Sequence, residues 1–148
     1  MSLHTQFKRI LIVFWGLWWL IACWTDIIGG VAHLGIVRAS WAPDNNYPFL
    51  VKSLQMYNVP VWLPAFLYIL IIIFSTISVV LFARAIFAYR KPDWLIKANL
   101  AFIFSLTYWL LFFLADQLIM NFDLEQNHMV QGGFELMCYL VINLMAKE

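Results

Sequence analysis

Residues 123–148 read DLEQNHMVQGGFELMCYLVINLMAKE, and the reading of this stretch decides the fold. As one helix, it puts Glu125, His128, Gly132, Glu135 and Tyr139 at i, i+3, i+7, i+10 and i+14, a single face. The run from Met129 to Ala146 is apolar enough for lipid and predicts a membrane span. Counting back from Lys147 at ~1.5 Å per residue places Glu135 about 18 Å deep, near the middle of a ~30 Å hydrocarbon core. A carboxylate at that depth costs at least about 2.5 kcal/mol and requires a partner, a proton or water.

The rest of the chain agrees with a bilayer as solvent. Of 148 residues, 64% are hydrophobic and 11% charged, and the mean hydropathy is +0.82. A soluble domain is about 45–50% apolar and about 25% charged, so composition alone assigns a membrane protein. The length suits four spans in a single domain over residues 1–148, and these are expected at about 10–30, 61–83, 95–118 and 129–146. The expected fold is therefore all-α, a polytopic four-helix transmembrane bundle. The net charge of +1 and the lack of a clustered basic patch argue against nucleic acid as a partner.

Lys8 and Arg9 precede the first apolar run, which imitates a signal peptide but is too long and lacks a small-x-small site. It reads as a retained span. Trp15, Trp18, Trp19 and Trp24 form an aromatic stripe on it, suited to lipid contact and packing. Residues 36–60 form a long loop with Pro43, Asp44, Asn45, Asn46, Pro48 and Pro60. Within that loop, Phe49, Leu50, Leu54 and Tyr57 keep helical spacing, which predicts a short interfacial helix over Pro48–Asn58. Pro64 opens the second span in its first turn, where proline is tolerated. A polar link, Asn121 to Asn127, is expected before the fourth span. Cys23 and Cys138 lie far apart in apolar runs and read as packing residues.

Lys8, Arg9, Arg84, Arg90, Lys91, Lys97 and Lys147, seven of the nine basic residues, fall on one side of these spans. Only Arg38 and Lys52 fall on the other. The positive-inside rule then makes both termini cytoplasmic and puts residues 36–60 and 119–128 outside, most naturally at a bacterial inner membrane. Asp26, Asp44, Asp116, Asp123, Glu125 and Glu135 lie in the outer half or beyond it, a bias that would attract cations there.

Asp26 and His33 are seven residues apart on the first span, as His128 and Glu135 are on the fourth. With Asp116 on the third span, spacing permits one outer-half cluster, in which Glu135, Asp26 and Asp116 would hold a proton or polar ligand. His33, His128 and Glu125 are the candidate metal ligands. Each has a plainer reading: Asp116 as a solvated helix-end carboxylate, Asp26 as an interhelical hydrogen-bonding group, the histidines as interfacial side chains. Glu125-x-x-His128 matches one half of a di-iron signature, but the full constellation needs a second copy and two more glutamates. Two histidines near one edge make a poor haem site, so no cofactor is assigned. Phosphate-loop, zinc-protease and nucleophile-elbow motifs are missing from the sequence.

Three functions fit these residues. The first is binding or transport of a proton, metal cation or small polar ligand. The second is a non-catalytic subunit or assembly factor of a membrane complex, with other membrane subunits or further copies of itself as partners besides the bilayer. The third is a membrane enzyme using a carboxylate base on a lipid-soluble substrate.

Overall fold

The computed structural model describes residues 3–38 and 45–145. The turn residues Pro43 and Asp44, and the chain end at Ala146 and Lys147, lie outside the described residues. Among those described, five helices follow one another: α1 (Leu3–His33), α2 (Asn46–Leu54), α3 (Leu63–Phe87), α4 (Trp94–Leu118) and α5 (Phe122–Leu144). A 3-10 turn, Gln55–Tyr57, extends α2. The short helix expected in the first loop is thus present, beginning two residues before Pro48.

Among the described residues, α1, α3 and α4 are long and apolar enough to cross a membrane. α5 falls short of the other three in composition, because its 23 residues include Asp123, Glu125, His128, Gln131, Glu135 and Asn143. Its start also differs from expectation: Phe122–Asn127, read from sequence as a polar link, forms the first turns of the helix. The reason is local. The side chain of Asn121 accepts a hydrogen bond from Leu124 N at 3.2 Å, and Asp123 and Glu125 favour the positive end of the helix dipole. Only residues 119–121 separate α4 from α5.

Two helix ends are closed by the same device. After α1, Ile36 N donates to Val31 O and Gly35 N to Ala32 O, with Gly35 at φ +73°. After α4, Asn121 N donates to Asp116 O and Met120 N to Gln117 O, with Met120 at φ +52°. Both are left-handed caps that satisfy otherwise orphaned carbonyls. The second puts a side chain where glycine is usual, and so turns α4 tightly into α5.

The chain comprises two compact units, Met1–Leu17 with Ser78–Glu148, and Trp18–Ile77. In the first, α4 and α5 pack along their lengths as an antiparallel hairpin. The buried residues of α4 (Ala98, Ala101, Phe102, Ser105, Tyr108, Trp109 and Asp116) recur every three or four positions, one face of a helix. Phe102 stacks edge-on with Phe82 of α3 at 5.1 Å between ring centroids. Phe134 of α5 meets Phe14 and Trp15 of α1 at 5.9 and 5.7 Å. Lys8 is buried, and its Nζ donates to Met145 O at 3.0 Å, placing a cation at the negative end of α5.

In the second unit, the Tyr68 hydroxyl of α3 donates to the backbone oxygen of Asp26 at 2.8 Å. Tyr68 also packs over Gly30, where an added Cβ would lie 3.0 Å from its ring. Cys23 Sγ and Thr76 Oγ1 are 3.3 Å apart, and Cys23 and Cys138 are both free and buried. The tryptophan stripe of α1 divides: Trp15 and Trp19 are buried, whereas Trp24 is exposed.

Candidate functional site

Glu135 sits on the buried face of α5 and is fully inaccessible. Two residues of α4 meet its carboxyl group. Ser105 Oγ makes a short hydrogen bond to Oε1, and Trp109 Nε1 donates to Oε2 at 2.7 Å. Ser105 and Trp109 are i and i+4 on α4, so one helix face presents both groups to one carboxyl. Gly132 makes this closeness feasible, since a Cβ there would stand 3.1 Å from Trp109 Cβ.

The hydrogen count at Ser105 matters. Its Oγ also lies 3.0 Å from Ala101 O and 3.2 Å from Phe102 O, so one hydroxyl hydrogen has three acceptors in reach. With Glu135 ionised, that hydrogen goes to Oε1. With Glu135 protonated, the carboxylic hydrogen goes to Ser105 Oγ, and the hydroxyl turns its own towards Ala101 O. Trp109 N–H serves Oε2 in both cases. The heavy atoms need not move between the two states; a hydroxyl rotation separates them. A metal ion at Oε2, by contrast, would face the positive end of an indole N–H.

Seven residues earlier on α5, His128 Nδ1 lies 2.5 Å from Asp116 Oδ2, the other end of the pair being on α4. Asp116 is buried, and the His128 side chain is 16% exposed. Asp116 is therefore not the solvated helix-end carboxylate that its position beside Gln117 suggests. Trp109 and Phe112 flank the imidazole, their ring centroids 5.6 and 4.8 Å from its own. Trp109 thus touches the histidine with its ring and the glutamate with its N–H. With its amide oriented to donate, Gln117 lies 3.2 Å from Glu125 Oε2, so Glu125 and His128 both address the end of α4.

Asp26 and His33 belong to the second unit, and both address α2. Asn46 Nδ2 donates to Asp26 Oδ1 at 2.9 Å, and the His33 ring lies 4.5 Å from that of Tyr47. His33 is exposed, while Asp26 is buried. Among the described residues, no three His, Cys, Asp or Glu side chains come together as a metal-binding group.

The structure adds partners that the sequence reading passed over: Ser105, Trp109, Asn46 and Tyr68. Ser105, Trp109 and Asp116 stand at i, i+4 and i+11 on α4, a polar line that periodicity could have revealed. Asn46 carried no such signal, because it stands 20 residues from Asp26, beyond the reach of any helical period. No family model, curated protein or solved structure matches the chain.

Proposed function

We propose that the chain is a four-span integral protein of a bacterial inner membrane, with cytoplasmic termini, that binds and releases a proton at Glu135. In this reading α5 is the fourth span, tolerated in lipid because its polar face is turned onto α4. The observation that carries it is the donor arrangement at Glu135: a fully buried carboxyl whose contacts serve both protonation states without moving a heavy atom. Of the ligands the sequence allowed, a proton fits this site best, since both carboxyl oxygens are already met by protein donors. His128 and Asp116, two turns towards the α4–α5 turn on the same side of the hairpin, supply the group through which a proton would exchange with water.

The test is infrared difference spectroscopy of the reconstituted protein across a pH step, paired with dye-reported proton movement in vesicles. Wild type is expected to give a protonated-carboxyl band that Glu135→Gln removes together with proton movement, while the variant and wild type fold alike. Unchanged proton movement in Glu135→Gln would defeat the proposal.

The subunit reading is favoured by a different aspect of the same geometry, namely that both hydrogen bonds cross from α5 to α4. There the carboxyl is a clamp. Glu135→Gln should then be nearly silent, whereas Glu135→Leu should strand the Trp109 N–H and lower recovery of the folded protein and its complex.

A further inference from the structure

At the end of the first unit remote from the α4–α5 turn, a groove of ≈ 190 Å³ runs between α1, α3 and the start of α4. Its walls are apolar: Ile12, Val13, Ala85 and Ile86. Its mouth carries Arg9, Tyr89 and Trp94. Arg9 donates to Tyr89 O at 2.6 Å, which fixes the guanidinium at the mouth. The same guanidinium lies 4.8 Å from the Tyr89 ring centroid and 5.8 Å from that of Trp94. Arg90, which is exposed, lies 5.1 Å from the Tyr89 centroid. Two guanidinium groups therefore lie against the Tyr89 ring, Arg9 lining the groove and Arg90 beside it.

We propose that this groove holds part of an acyl chain of one anionic glycerophospholipid, whose phosphate is drawn to the mouth by Arg9 and Arg90. Three features select that occupant. The apolar walls belong to α1 and α3, helices apolar enough to lie in hydrocarbon, so what fills the groove there is a lipid chain. The mouth lies where those apolar runs end, at Arg9 and Phe87, which is headgroup depth, and it carries the Tyr and Trp side chains that settle at that level. The two guanidiniums complement a phosphate in charge, each can present paired N–H donors to it, and basic pockets between spans recognise anionic headgroups in this way. The nearby Asp93 does not oppose this, since its carboxylate is engaged by Lys97 at 2.8 Å.

The experiment is native mass spectrometry of the full chain in non-ionic detergent, titrated with phosphatidylglycerol and phosphatidylcholine bearing identical acyl chains. One tightly held phosphatidylglycerol is expected, bound at least about fivefold better than phosphatidylcholine. Arg90→Gln, at an exposed turn position, should cost about fivefold for phosphatidylglycerol and nothing for phosphatidylcholine. Val13→Trp, which fills the groove from its half-exposed rim, should weaken both lipids while leaving thermal unfolding of the lipid-free protein unchanged. Equal binding of the two headgroups, or unchanged selectivity in Arg90→Gln, overturns the site. So does displacement by inorganic phosphate, or equal binding of a dihexanoyl lipid, either of which would mean that the arginines hold a soluble anion.

Discussion

Adjacent glycines on α5 should respond to alanine with opposite signs. At Gly132 an added Cβ would lie 2.9 Å from Phe113 Cζ and 3.1 Å from both Cβ and Cγ of Trp109. Phe113 can swing the far end of its ring away. Trp109 Cβ cannot move without its backbone, so α4 must retreat by a few tenths of an ångström, carrying the indole N–H away from Glu135. At Gly133 there is open space. Alanine is favoured over glycine in a helix by about 0.8–1.0 kcal/mol, and Gly133→Ala should realise most of that gain. Gly132→Ala receives the same gain but loses about 1–3 kcal/mol to overpacking and about 1–3 kcal/mol to a weakened buried hydrogen bond. Its net effect should be destabilisation of about 1–5 kcal/mol. The assay is thermal unfolding of the detergent-solubilised variants, followed by tryptophan fluorescence. If Gly132→Ala is as stable as Gly133→Ala, the close approach of α4 and α5 is not what seats Trp109 against Glu135.

The Asp116–His128 pair should discriminate between loss of charge and loss of a partner. Asp116→Asn keeps an acceptor for the imidazole and should cost less than about 1 kcal/mol, whereas Asp116→Leu should cost about 1–3 kcal/mol, read from the same unfolding curves. Equal midpoints for the two would refute the pairing. Asp93, outside the apolar segments, is held below its ordinary value of 3.8 chiefly by the hydrogen bond from Lys97. Because its folded value is depressed, the contribution is present above about pH 4 and fades as the pH falls through the lowered value. Asp93→Asn should therefore lower the unfolding midpoint at pH 7 and have a smaller effect at pH 3; a difference independent of pH would count against the pair.

Much of the helical layout was legible because it rests on local pattern. The apolar runs marked α1, α3 and α4, and the spacing of Phe49, Leu50, Leu54 and Tyr57 announced α2. The face of α5 was also readable, since Glu135 and His128 share it by period alone, and both turn out to contact α4. The burial of Asp116 was not. A helix-end aspartate looks solvated until the left-handed cap at Met120 brings His128 back over it, and a methionine at that position gives no warning of such a turn. The partner of Asp26 was hidden for a similar reason: Asn46 is 20 residues away, across a long loop whose path the local pattern does not dictate.

One further pair on the hairpin bears on how this protein could move. Asn99 and Asn143 exchange amide hydrogen bonds at 3.1 and 3.0 Å, each donating to the other's oxygen, near the end of the hairpin opposite its turn. With Ser105 and Trp109 on Glu135, and Asp116 on His128, polar fastenings join α4 to α5 at three heights spread over about 25 Å of helix. A slide of either helix by one turn, about 5.4 Å, would break all three at once, and at Glu135, which is fully buried, no water stands ready to replace the lost donors. Axial shear between α4 and α5 is therefore opposed at three places. The hairpin should therefore move as a single rod, and an engineered crosslink between its two helices should leave the thermal unfolding midpoint no lower than that of the uncrosslinked protein.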